Sequence, residues 1–458
     1  MRVLLINSTW PHYSASDYEI TVYTPEISAS WVPLGLAYVA AYLRKCGHIV
    51  SIWDRNARFF IDKDIEIVDG KLIADIEDFK PEVIGISATT PLIEDAFHAA
   101  EIIKKKYDGL KIVLGGVHGT ALPEETLKKC PAIDIVVRGE GEEIFRNLLE
   151  KLSDLSAVTG ITYRGGKGLE IVHNPDAPLI ENLDGIPHPA RDLLDMSFYA
   201  SPSTQIIFGY KIKGTSIVTS RGCPGRCNFC AGPLMSRNKV RFHSAEYTIN
   251  ELSGLVDTYG IEGVFFVDEM FTTDKARVHK ICRLMQEAGL HKKLVWGIQL
   301  RADFVDEEIL AIMRDSGCVQ VEYGFESGSN KVLADMGKRL TVEQSIATSM
   351  LTKKVGIRQL ANIIVGWPTE TLDDLMRTVN FVELINPDFV SWHEYKPLPG
   401  SLYWDSIGDL DKGDFTKNKA FTYCSVTEQV KDKMRSVLAN ARTRYISNNA
   451  NGLYIDQK

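Results

Sequence analysis

The chain has 458 residues, 45% of them hydrophobic, which is enough to bury two or three cores. Its formal net charge of -8 argues against a nucleic-acid-binding surface, because holding phosphates calls for a basic face. Near the start only Val3–Ile6 is continuously apolar, too short for a leader or a membrane span. The expectation is a cytoplasmic enzyme, and eight cysteines, three of them clustered, suit a reducing compartment better than a disulfide framework.

In chain order, short apolar runs at 3–7, 48–54, 83–88, 111–116 and 133–138 read as strands. Helix-period stretches at 34–45, 93–107 and 142–152 lie between them. Such alternation predicts a doubly wound parallel sheet over residues 1–152. Ligands of these sheets bind at the carboxyl ends of the strands. Those ends carry Asn7-Ser8, Asp54-Arg55-Asn56, Ser87, Gly115-Gly116 with His118, and Gly139-Glu140-Gly141-Glu142. Pro33-Leu34-Gly35 precedes the first helix. Repeated glycines at strand ends either permit tight turns or let a bulky ligand approach the backbone.

Residues 153–214 read as a connector. It contains a hairpin over 161–174, and Pro175, Pro178, Pro187, Pro189 and Pro202 exclude long regular elements. A second strand–helix system follows, with strands at 215–219, 263–267, 294–300, 319–324, 359–365 and 389–393. Residues 405–458 hold one helical stretch, 428–445, read as a cap.

The sharpest signal follows the first strand of the second system. Cys223, Cys227 and Cys230 form a Cys-x3-Cys-x2-Cys cluster. Three thiolates can hold three irons of a 4Fe–4S cubane and leave the fourth open, whereas electron-transfer clusters take a fourth Cys. The next cysteine, Cys282, is remote. A zinc site, the plainer alternative, calls for four Cys or His ligands, usually as two spaced pairs, and no second pair is present.

At these residues the chain resembles the radical S-adenosylmethionine (SAM) superfamily. Residues 1–150 resemble the cobalamin-binding domain that precedes the radical SAM domain in one large subclass. The resemblance implies a partial (β/α)6 barrel over 215–404, with the open iron binding SAM. Reductive cleavage would then give a 5′-deoxyadenosyl radical. It also implies cofactor roles for Phe229 (adenine), Asp268 and Glu269 (SAM amino group), Arg301 (a carboxylate), Glu322 and Glu326 (ribose or substrate), and the Ile364–Gly366 backbone (adenine). Glu370, at a helix start, reads as structural. His393, Glu394 and Tyr395 end the sixth strand at the substrate side. Glu326, His393 and Tyr395 are the candidate catalytic residues; Glu326 reads equally as a surface charge or helix cap, and His393 and Tyr395 taken singly are more often satisfied core or rim residues.

Better-known cobalamin domains place a His under cobalt through Asp-x-His-x-x-Gly. The stretch taken as equivalent, Asp54-Arg55-Asn56-Ala57-Arg58-Phe59, has none, so a displaced base without a protein His ligand is expected. His118 reads as a hydrogen-bonding residue rather than an axial ligand.

The favoured activity is C-methylation, transferring a methyl group from methylcobalamin to a substrate carbon radical. The alternative is a radical cyclase, oxidase or rearrangement enzyme. Methylthiotransferases need a further cysteine triad, and only Cys46 and Cys130 precede the cluster by any distance. The expected partners are a small-molecule, peptide or protein substrate and an electron donor such as flavodoxin or ferredoxin. The two cofactors are expected to face one cavity.

Overall fold

The computed structural model describes residues 1–9, 31–165, 170–201 and 206–407, with Asp432 and Ser436 as isolated helical positions. The cap helix expected over 428–445 therefore lies outside the described residues apart from those two. The N-terminal sheet has the order β2-β1-β3-β4-β5-β6-β7, built from β1 (Arg2–Asn7), β2 (Ile49–Asp54), β3 (Val83–Ser87), β4 (Lys111–Gly115), β5 (Ile135–Val137), β6 (Ile161–Gly165) and β7 (Glu170–His173). The first five are parallel, and the hairpin β6–β7 extends the sheet antiparallel from β5.

Parallel strands covered on both faces need apolar side chains at consecutive positions. Accordingly Leu4 and Ile6 enter one core with helices 65–79 and 93–106, while Val3 and Leu5 enter another with helices 34–45 and 141–150. Residues 55–62 and 65–79 are also helical, a pair that the strand-and-helix reading passed over. The Asp54 and Asp64 carboxylates cap them by accepting backbone N–H groups. Arg55 is fully buried against Asp95 and Asp69, which ties the first of these helices to its neighbours.

The second sheet has the order β15-β14-β13-β12-β11-β8, all parallel and open between its outer strands. Its strands are β8 (Gly214–Ile217), β11 (Gly263–Phe266), β12 (Val295–Leu300), β13 (Cys318–Glu326), β14 (Arg358–Val365) and β15 (Phe389–Glu394). Period-two alternation sends Ile217, Phe266, Ile298, Tyr323, Ile363 and Trp392 outward into the helical layer.

The opposite face lines the concavity, and at the amino end the connector plugs it. A Cβ on Gly214 would stand 2.2 Å from Ile206, and one on Gly297 3.0 Å from Ile207, so these glycines make room for the plug. Phe208 completes it against Leu360 and Phe389. With the amino end filled, the accessible end is the carboxyl one, where such folds place their chemistry. Among the described residues, no helix is long and apolar enough to cross a membrane.

Candidate cofactor and substrate site

The chain leaving β8 enters a short ribbon, β9 (Ser220–Arg221) paired antiparallel with β10 (Arg241–Phe242), which closes the loop 222–240. Gly222 has φ +99°, and a Cβ there would meet the Lys239 carbonyl oxygen at 2.1 Å, so only glycine turns the chain at this point. The loop holds the three cysteines. The Gly225 N–H points at Cys223 Sγ and the Gly232 N–H at Cys230 Sγ, each at 3.3 Å, and Arg301 Nη1 approaches Cys227 Sγ at 3.7 Å. These donors suit charged sulfur.

Burial raises the thiol pKa of Cys223, and that of Cys230 to about 11, so metal binding would have to hold them as thiolates. Among the described residues no three His, Cys, Asp or Glu side chains converge on one metal ion. A structural zinc site takes four Cys or His ligands, usually as two spaced pairs, and this loop offers three cysteines. The Cys-x3-Cys-x2-Cys spacing within one loop suits a cubane, which spreads three thiolates over three irons. Cys282 is fully buried in the outer core of the barrel and is remote from this loop in character and place.

A cavity of about 370 Å³ lies between the two sheets. One wall comes from the carboxyl ends of the N-terminal strands: Ser87, Gly115, Gly116, Gly139, Glu140, Gly141 and Glu142, with Leu34 and Gly35 at the helix start. The facing wall is Val218, Arg221, Met235, Val267 and Glu269, from the barrel rim and cluster loop. A Cβ on Gly35, Gly115 or Gly139 would meet nothing within 4 Å, so these glycines border open space rather than a packed turn. Beneath them an apolar slot, lined by Leu5, Gly85, Val113, Val137 and Phe145, descends between sheet and helices. A glycine rim above an apolar slot leaves room for a bulky group such as cobalamin to approach the backbone closely.

Several of the expected residues lie outside this cavity or are already engaged. Asn7 does not line this cavity: its side chain donates to Asp54 Oδ1 at 2.9 Å. Ser8 is buried outside the lining, and Pro33 flanks the helix start rather than the cavity. His118 is also buried away from it, with Nδ1 3.2 Å from Thr90 Oγ1, and burial lowers its pKa to about 4. The 54–59 stretch caps and begins a helix packed through Arg55, so the lack of His there says nothing about the lower face of cobalt. No described residue lining the cavity is a histidine. Glu140 and Glu142 do border the cavity, but their carboxylates are taken by Arg221 and Arg241.

Near the cluster, the Asp268 side chain accepts from the Thr219 N–H, the Thr219 hydroxyl and the Ser220 hydroxyl. Glu269, the other expected residue of this pair, borders both the cavity and the Cys230 turn. Burial, followed by the Asp268 charge, raises its pKa. Arg301 spends its fork on Asp303, at 3.0 and 2.9 Å, leaving Nη1 toward Cys227.

Higher in the concavity, Glu322 accepts from Gln320 Nε2 at 3.0 Å. Glu326 sits at φ +66°, where the register between β13 and β14 shifts, and pairs with Lys338 Nζ at 2.7 Å. A non-glycine residue in that conformation is strained, which favours a functional reading of Glu326. His393 Nε2 lies 3.1 Å from Asn362 Oδ1, and burial lowers the His393 pKa, so the ring is neutral near pH 7. Tyr395 packs with Trp367 and Tyr403, beside Phe229 and Ile364, and its buried hydroxyl has no partner among the described residues. Gly366, at φ +81°, donates its N–H to Glu370, whose pKa burial raises to about 7. Sequence reasoning missed Lys338, Asn362, Arg221 and Arg241. Of these, only Arg221 carried a signal, its place between the strand end and Cys223.

Residues 20–149 match the B12 binding domain family and residues 217–382 the radical SAM superfamily. An uncharacterized methyltransferase of Pyrococcus horikoshii is 36% identical over 377 residues, covering 81% of this chain and 78% of that protein. The chain belongs to the B12-binding radical SAM enzymes. The family carries cobalamin, SAM and a 4Fe–4S cluster. The anaerobic magnesium-protoporphyrin IX monomethyl ester cyclase of Rubrivivax gelatinosus is 30% identical over 428 residues, covering 91% and 72%. The solved structure of the cobalamin-dependent radical enzyme OxsB, with aqua-cobalamin and SAM bound, superimposes with a TM-score of 0.75 at 20% identity, covering 98% of this chain and 67% of that one. That of the methyltransferase TsrM from Kitasatospora setae gives 0.71 at 18%, covering 90% and 78%. Both show the shared fold.

Proposed function

We propose that this B12-binding radical SAM enzyme is a C-methyltransferase, placing a methyl group on an unactivated carbon of a small molecule or of a peptide or protein residue. The observation that carries the reading is the single cavity walled on one side by the glycine-rich strand ends and on the other by the barrel rim and cluster loop. A substrate radical is short-lived, so donor and radical must share one space. Bound there, the cofactors would supply a hydrogen-abstracting adenosyl radical and a transferable methyl group.

The chain's own residues bind, orient and exclude water. Cys223, Cys227 and Cys230 hold the cluster, with the Gly225 and Gly232 amides and Arg301 directed at their sulfurs. Phe229, Ile364, the Gly366 backbone and Tyr395 form the aromatic and backbone seat for adenine. Ser87, Gly115, Gly116, Gly139 and Gly141 form the cobalamin wall. With Nε2 donating to Asn362, the neutral His393 ring offers Nδ1 as an acceptor to the substrate, and Lys338 holds the Glu326 carboxylate in place. Residues 1–152, 153–214 and 215–404 serve as cobalamin domain, connector and barrel, and a flavodoxin or ferredoxin supplies electrons.

The identity to the Rubrivivax cyclase favours one second reading, radical ring closure or oxidation without methyl transfer. The two separate on one experiment. Reconstituted protein given methyl-labelled SAM and candidate substrates should yield a product heavier by the labelled methyl, whereas a cyclase yields an unlabelled product.

A further inference from the structure

The geometry points to Arg221 as a positioning residue that sets where the cluster loop stands relative to the cobalamin wall. The inference rests on the reading that both cofactors share the cavity. Arg221 donates from Nη1 to Glu140 Oε1 at 3.0 Å and from Nη2 to Glu142 Oε1 at 2.6 Å. Its cross-strand neighbour on the ribbon, Arg241, donates to the other Glu140 oxygen at 2.7 Å and to the Ile180 carbonyl at 2.7 Å. The Ile180 N–H returns to Glu140 at 2.9 Å.

One carboxylate thus receives both arginines that close the cluster loop, and the turn carrying it is the Gly139–Glu142 edge of the cavity. The four charged side chains are between 4% and 17% exposed. Buried, fork-shaped charge pairs tolerate little change of geometry. No other ribbon side chain stands so close in sequence to Cys223 while touching the opposite wall. Arg221 does not reach the sulfurs, and its effect is one of distance and angle between the two halves of the site.

The test compares wild type with Arg221→Met, Arg221→Lys and Glu142→Gln, each reconstituted with iron, sulfide and cobalamin. Reduction to the state in which cluster and cob(II)alamin are both paramagnetic makes the cobalt spin relax faster through the nearby cluster, an effect that falls steeply with distance. Iron and cobalamin content should match wild type in all three variants, while relaxation enhancement falls several-fold in Arg221→Met. The fall should be smaller in Glu142→Gln and partly reversed in Arg221→Lys. If Arg221→Met fails to fold, the other two variants carry the comparison. Wild-type relaxation in the variants that retain both cofactors would overturn the inference. Wild-type protein that takes up only one cofactor would instead overturn the shared-cavity reading.

Discussion

The Asp268 carboxylate accepts the Thr219 N–H at 2.6 Å and the Thr219 hydroxyl at 2.5 Å, tying the exit of β11 to the exit of β8 just before the cluster loop. Ser220 adds a third donor at 2.7 Å, and burial raises the pKa of the carboxyl. Asp268→Ala would leave buried donors unmet, a loss on the order of 3 kcal/mol. We expect a lower denaturation midpoint together with poorer iron retention. A SAM-binding role for the side chain would instead weaken SAM affinity at unchanged stability, which calorimetry with the analogue-loaded protein distinguishes.

Replacing Cys223, Cys227 or Cys230 with Ala should abolish both cluster absorption and 5′-deoxyadenosine formation. Cys282→Ala should keep both, because that thiol is buried in the outer core, where only a modest packing loss follows. Iron analysis and a SAM-cleavage assay read the difference, and equal iron loss in Cys282→Ala would show a misassigned ligand.

Gly115→Leu should lower bound cobalamin by at least tenfold without lowering iron content, since the new side chain enters the open space above the apolar slot. In wild-type protein the cob(II)alamin spin resonance should lack nitrogen splitting from a protein imidazole, and His118→Ala should leave it unchanged. Splitting from a protein imidazole would contradict the displaced-base reading and direct attention to His12, which lies in the span between β1 and the first described helix.

Glu370 gives a pH signature. Its folded pKa, raised to about 7 by burial, lies above the ordinary carboxylate value. The folded state therefore holds this proton more tightly than the unfolded chain. The resulting stability is fully present below about pH 4.5 and is lost as pH rises toward 7, by on the order of 3 kcal/mol. Glu370→Gln, which still accepts the Gly366 N–H, should abolish this part of the decline, read as the difference between the two proteins' melting temperatures across pH 4.5–7.5. Parallel curves would contradict the assignment.

The strands and the cluster were legible because their signals are local. Apolar runs such as Val83–Ser87 mark doubly covered strands, and the Cys223-x3-Cys-x2-Cys spacing fixes its ligands within one loop. The helices at 55–79 escaped because the apolar punctuation between β2 and β3 is weak and a buried Arg55 mimics a surface residue. Side-chain allegiance was not legible either. Whether Asp268 faces a ligand or the Thr219 backbone, and whether Glu140 meets cobalamin or two arginines, depends on partners far along the chain. Glycines at several strand ends border one open space, whereas Asn7 is engaged with Asp54 and His118 with Thr90, contacts that strand-end position alone does not reveal.

The most direct test of methyl transfer uses SAM carrying a trideuterated methyl group, given under anaerobic reduction to protein loaded with cluster and cobalamin. Mass spectrometry of the released cobalamin, alongside 5′-deoxyadenosine from the same sample, reads both uses of SAM. The account predicts cobalamin heavier by one trideuteromethyl group together with 5′-deoxyadenosine. Abundant 5′-deoxyadenosine with cobalamin that never carries the label would contradict it.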